Sequence, residues 1–257
     1  MSTRRQTTEA AYAGLLERAR ADPAVVGVVV FGSMAAGPYA TPESDVDCLV
    51  IVDGPSEAAA GWQTAHGSPV EAWAMSLEEF RTHALPGTST AWNRPALIRA
   101  RVDLDKLDGE IGRIVDAKRR LTPNEASALV DTALDNAINS MYRSLRNTEG
   151  GRDLAGRLDA LESIGPLLTT AFALEGRVRP FNKWLEFELA AEPLGSPAFA
   201  DLLERVDAFV ADPTAERVRD AFRMLDGAAR AAGHAASVDG WEPDVAWLRG
   251  EAPYRRS

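Results

Sequence analysis

The 257-residue chain has one cysteine, three histidines and only three lysines, Lys106, Lys118 and Lys183. A single cysteine, Cys48, excludes an intramolecular disulfide and any paired-cysteine metal site. His66, His83 and His234 are too scattered to form a local metal-binding motif. The longest apolar run sits within Ala24–Phe31, far short of the ~20 residues a membrane span needs. The polar segment Met1–Gln6 leads into an amphipathic stretch, not the apolar core of a signal peptide. The expectation is a cytoplasmic, soluble protein with no membrane partner. The G-x-x-x-x-G-K-[ST] and G-x-G-x-x-G phosphate-binding signatures are missing, and so is the G-x-S-x-G hydrolase elbow.

What the chain has is acid: 38 Asp and Glu against 28 Lys and Arg, a net charge of −10. That balance argues against a long track for nucleic acid, which needs phosphate-neutralising cations, and suits a cationic partner better. With 46% hydrophobic and 26% charged residues the composition is that of a folded protein. The length allows one large domain or two small ones.

The two halves differ in texture. Glu9–Arg20 carries a helical apolar stripe, and Val25–Phe31 and Val46–Val52 are β-branched runs of buried-strand type. A loop over Pro38–Ser44, after one helical turn at Met34–Gly37, joins them. Pro69–Met75 predicts a third strand, Ser76-Leu77-Glu78-Glu79 a capping box opening a short helix, and Leu97–Leu104 a fourth strand. Asp108–Arg120 returns to helix. Beyond it, Thr122-Pro123-Asn124-Glu125 combines a capping box with proline at the first helical position. This helix runs to about Asn147, and helices are expected over Asp153–Glu175, Pro197–Val210 and Thr214–Ala232. The boundary between the halves belongs near Leu121, giving units 1–121 and 122–257.

The chemistry sits on the first strands. Gly32-Ser33 follows Val25–Phe31, and eleven residues later comes Asp45-Val46-Asp47. Side chains alternate along a strand, so Asp45 and Asp47 share a face. Two such carboxylates repel unless a cation lies between them, and Mg²⁺ is the natural occupant for hard oxygen ligands. Gly32 permits a tight turn, and the Ser33 hydroxyl with nearby amides can hold phosphate oxygens. Glu71, between Val70 and Ala72, is a costly carboxylate for a buried strand unless it has a partner. If its strand lies beside Asp45–Val52, it completes a triad able to serve phosphoryl or nucleotidyl transfer.

The pattern G-S-x11-D-x-D with a third acidic residue on the next strand resembles the DNA polymerase β-like nucleotidyltransferase superfamily. An α/β domain followed by a helical bundle is similar to its aminoglycoside adenylyltransferases, as are Ser44-Asp45-Val46-Asp47 and the Val70-Glu71 strand. Arg179-Pro180-Phe181-Asn182-Lys183-Trp184-Leu185 also resembles a segment of bacterial nucleotidyltransferases with helical C-terminal domains. The resemblance implies an α+β protein: a mixed-sheet nucleotidyltransferase domain, then an all-helical, substrate-binding bundle, with the site in the cleft between them. It implies transfer of a nucleoside monophosphate, AMP from ATP first, to a hydroxyl of a small cationic molecule such as an aminoglycoside, with antibiotic resistance as a role. Asp45, Asp47 and Glu71 would hold Mg²⁺, and Glu71 would act as base. Gly32, Ser33, Ser44 and Lys183 would hold the triphosphate. Asp135, Asp159 and Glu162 would receive the acceptor.

Each assignment has a plainer alternative. Glu71 could face solvent from an edge strand, and Lys183 could be a surface lysine. Asp135, Asn139, Tyr142 and Arg146 form a stripe at helical spacing that would be a solvated face. Cys48 reads as a small buried hydrophobe and His66 as a loop residue. Two other functions remain open: a toxin or regulator that adenylylates protein or RNA, and a nucleotide sensor without turnover.

Overall fold

In the computed structural model the described residues are 3–35, 40–41 and 43–254. The predicted turn at Met34–Gly37 and loop at Pro38–Ser44 therefore fall partly outside them. The chain divides into two compact units, Met1–Arg120 and Leu121–Ser257. No helix among the described residues is long and apolar enough to cross a membrane.

The first unit is built on a four-stranded sheet. Helix α1 (Thr3–Ala21) precedes β1 (Val25–Phe31), all seven of whose residues are buried. Strand β2 (Val46–Val52) pairs antiparallel with β1, and β3 (Val70–Ser76) pairs parallel with β2. A parallel neighbour needs a crossover. Here residues 53–69 supply it, with a 3-10 segment at Ser56–Trp62 whose Ala59 and Trp62 are buried against the sheet. Strand β4 (Arg101–Asp105) pairs antiparallel with the other side of β1, giving the order β3-β2-β1-β4. Leu15 and Ala19 of α1 pack with Val28, Val30, Cys48 and Val50, which alternate on one sheet face.

The capping box at Ser76 forms as expected, opening α2 (Leu77–Thr82). The expected strand over Leu97–Leu104 is shortened to β4. The first residue of the expected strand, Leu97, closes a 3-10 segment, Ala91–Leu97, containing Pro95, and Ile98 and Arg99 turn the chain before β4. Pro95 has no N–H to give a strand ladder, and the Ile98 amide closes the turn on the Pro95 carbonyl. Buried Arg94 fixes this segment by donating to the carbonyls of Lys118 (3.0 Å) and Arg120 (2.8 Å), at the end of α3 (Glu110–Arg119).

The second unit is helical. Thr122 caps α4 (Pro123–Glu149) through the predicted box, with Pro123 in its first turn. The single helix expected over Asp153–Glu175 is two: α5 (Asp153–Glu162) and α6 (Ile164–Ala173). Pro166 has no N–H to give the Glu162 carbonyl, and its ring crowds that position. The apolar stripe continued across this break, which hid it. Further on lie α7 (Leu185–Ala191), α8 (Leu202–Ala211), α9 (Ala215–Ala231) and the short α10 (Ala235–Asp239) and α11 (Val245–Arg249). The expected helix start at Pro197 is a 3-10 turn, Pro197–Phe199. The core is centred on α4, whose Leu134, Ile138, Met141 and Leu145 are buried with Phe172 of α6 and Phe222 and Leu225 of α9.

Candidate active site

Strand register brings the chemistry together. Phe31 of β1 lies opposite Asp47 of β2, and Asp47 opposite Glu71 of β3, so one row crosses three strands on one face. Asp45 precedes β2 by one residue. The carboxylates of Asp45, Asp47 and Glu71 each offer an oxygen within 4.8 Å of the others. A two-residue spacing alone puts aspartates ~7 Å apart, and the side chains close that gap. Three converging carboxylates raise a repulsion that a cation relieves. Their hard oxygen donors fit Mg²⁺ or a similar divalent ion.

Gly32 closes β1 with φ +70°, a left-handed conformation that glycine adopts without strain. A Cβ there would lie 2.5 Å from Asp47 Oδ2. The glycine thus both turns the chain and leaves room for a carboxylate. Ser33 follows in the turn, half-buried. The Ser44 hydroxyl, just before Asp45 in the chain, accepts from the Thr41 amide at 2.9 Å and lies 3.2 Å from the Thr41 hydroxyl.

Glu71 is 8% exposed although β3 is an edge strand. Its Oε1 accepts from the Gly67 amide at 2.6 Å. His66 Nδ1 lies 2.9 Å from Oε1 and 3.2 Å from Oε2. The Gly67 amide, and then His66, hold its carboxyl below the ordinary carboxylate range, outweighing the burial that opposes them. Sequence reasoning left His66 as a plain loop residue. The signal available was its place in the turn that delivers Glu71, five residues on.

Cys48, next to Asp47 in sequence but on the α1-facing side of the sheet, is fully buried. Burial first, then the charges of Asp47 and Asp103, push its thiol up to about 12, so it is a hydrophobe there. Trp73, two residues after Glu71, also escaped the sequence reading. It is 40% exposed and packs on buried Phe31 with ring centroids 5.4 Å apart.

The remaining candidates lie in the helical unit. Lys183 is exposed on a 3-10 turn, Asn182–Trp184, with Nζ 4.8 Å from the Trp184 ring centre. Asp135 accepts from Trp241 Nε1 at 3.0 Å. Asp159 pairs with Arg143 at 3.3 Å and accepts from Asn147 at 2.7 Å, and Glu162 pairs with the same Arg143. The stripe on α4 is not uniformly solvated. Asp135 is exposed, but Tyr142 and Arg146 are half-buried among Trp247 and Tyr254, with Arg146 stacked 3.7 Å over Tyr254.

No curated protein matches the chain in sequence. Among solved structures, a nucleotidyltransferase-like protein from Exiguobacterium sibiricum 255-15 is similar at 13% identity and a TM-score of 0.47, over 88% of this chain and 75% of that one. Residues 14–131 match the family model of the nucleotidyltransferase domain, a span holding all four strands, the Gly32-Ser33 turn and the three carboxylates. The fold is α+β, with a sheet-bearing unit that is similar over residues 14–131 to a nucleotidyltransferase domain and a helical region after it.

Proposed function

We propose that the protein transfers AMP from ATP to a hydroxyl of a small cationic molecule, an aminoglycoside in the first instance, releasing pyrophosphate. The observation that carries nucleotidyl transfer is the convergence of Asp45, Asp47 and Glu71 beside the Gly32-Ser33 turn. Asp45, Asp47 and Glu71 would hold Mg²⁺. When bound, such an ion neutralises the triphosphate and the charge that develops in an in-line displacement. The Ser33 hydroxyl and the turn amides hold the outer phosphates. Glu71 takes the proton of the acceptor hydroxyl as its oxygen bonds to the α-phosphorus and the bond to the pyrophosphate oxygen breaks. Gly67 and His66 keep Glu71 ionised, so its carboxylate is open to a proton at neutral pH, while the same two donors weaken it as a base. The acceptor class rests on the family resemblance and on the net charge of −10, which draws cations.

The test is to incubate the protein with Mg²⁺, each of the four nucleoside triphosphates and a panel of aminoglycosides, and to weigh the products. An adduct heavier by one AMP is expected, with one pyrophosphate per adduct. Nucleotide binding without pyrophosphate release would make the protein a sensor instead. Pyrophosphate release with adenylylated protein or RNA, and no small-molecule adduct, would move the acceptor to a macromolecule.

A further inference from the structure

We infer that the exposed face of Trp73 is the platform on which the acceptor's ring lies during transfer. The inference rests on the nucleotidyl-transfer reading above and assigns a specificity residue to it.

Strand register supplies the argument. Phe31, Asp47 and Glu71 form one row across the sheet, and Val29, Leu49 and Trp73 form another two residues away. The chain leaves Phe31 directly into Gly32-Ser33, so the phosphate turn and Trp73 lie on opposite sides of the carboxylate row. In-line displacement puts the attacking and leaving oxygens on opposite sides of the phosphorus. With pyrophosphate departing toward Gly32-Ser33, the acceptor approaches from the side of Trp73.

The ring is placed to receive it. Trp73 shares the face of Glu71, about 7 Å along the same strand. It is propped from below by buried Phe31 at 5.4 Å and a 30° tilt, so its position is fixed while 40% of it stays open. Leu49, the strand neighbour beneath it, is buried. An indole offers a flat, apolar, electron-rich face. Its complement is the C–H face of a saturated, hydroxylated ring, and ammonium substituents on that ring add cation–π attraction. A ring stacked there carries a hydroxyl toward Glu71.

The test compares wild type with Trp73→Ala, Trp73→Leu and Trp73→Phe. Leucine keeps Phe31 covered without a π-face, so it guards against loss of fold in the alanine variant. Two affinities are measured by calorimetry with Mg²⁺ present: that of α,β-methylene-ATP, which cannot release pyrophosphate, and that of an aminoglycoside added to its complex. The wild-type protein is also assayed for adduct with ATP. Trp73→Ala and Trp73→Leu are expected to weaken the aminoglycoside about 10-fold, and Trp73→Phe by less than about threefold, with the nucleotide changed by under about twofold in all. Nucleotide affinity falling instead would put the ring against the base and overturn the inference. Acceptor affinity unchanged in the variants, with a wild type that makes adduct, would overturn it while leaving the transferase reading intact. A wild type that neither binds nor modifies any aminoglycoside would remove the acceptor reading and this inference together.

Discussion

Gly32 shows how one residue can serve two demands. Its φ of +70° favours glycine, and a methyl group would press on Asp47 Oδ2. Gly32→Ala is therefore expected to cost about 1–2 kcal/mol of stability and to cut pyrophosphate release far more than that loss explains. A variant with native melting and native rate would show that the turn neither strains nor crowds the carboxylate. Asp45→Asn and Asp47→Asn each remove a ligand charge, and electrostatic contributions of this kind are worth about 10²–10³ in rate. Both variants should melt like wild type and turn over at that reduced level or lower; near-native activity in either, with Mg²⁺ present, would end the metal-site assignment. Glu71→Gln separates two roles. A general base acts in the transition state and is worth about 10²–10⁴ in rate, so kcat should fall while ATP affinity stays. If ATP affinity collapses instead, Glu71 is a metal ligand before it is a base.

At the scale of elements, Lys118 of α3 is the group whose surroundings speak most clearly. It is 1% exposed, and its Nζ donates to the carbonyls of Arg81 at 2.9 Å and His83 at 2.7 Å, tying α3 to the end of α2. Burial first, then the Arg94 charge, lowers its pKa from 10.5 to about 8. Because the folded value lies below the unfolded one, the unfolded chain binds more protons between them. The penalty for the buried ammonium is complete below about pH 8 and fades as pH rises toward 10.5. Relative to Lys118→Met, wild type should therefore gain about 2 kcal/mol of unfolding free energy between pH 8 and pH 9.5. Denaturant titrations of both proteins at the two pH values read it, and a flat difference would mean the lysine titrates normally. None of this was visible in the sequence, where Lys118 is one polar residue of an amphipathic helix. The capping boxes at Ser76 and Thr122 were visible because both partners lie within four residues. The break between α5 and α6 was missed because the apolar spacing ran on across Pro166, and only the helix geometry registers the lost amide.

Over the whole molecule part of the acid is paired internally. Arg143 takes both Asp159 and Glu162, while Arg230 and Arg249 take the buried Asp226. The net charge of −10 remains after such pairing, since an ion pair removes no charge from the total. A polycationic acceptor should then bind more weakly as salt screens that field, whose range is about 10 Å at 0.1 M ionic strength. Calorimetric titration of an aminoglycoside at rising sodium chloride is expected to show a steady loss of affinity. Salt-independent binding would assign the acceptor to uncharged contacts.

The two textures of the chain, the apolar strands, the helix starts and the G-S-x11-D-x-D pattern are local features, written in spacings of a few residues. The sequence by itself determined these, and with them the fold class and the pair Asp45 and Asp47. Which strand neighbours which is a long-range choice settled by packing. Only the register of β3 on β2 sets Glu71 opposite Asp47, and only the turn at His66-Gly67 gives that carboxylate its donors. Trp73 became a candidate for the same reason. Its contact with Phe31 crosses a strand and joins residues 42 positions apart, a proximity that tertiary structure alone creates.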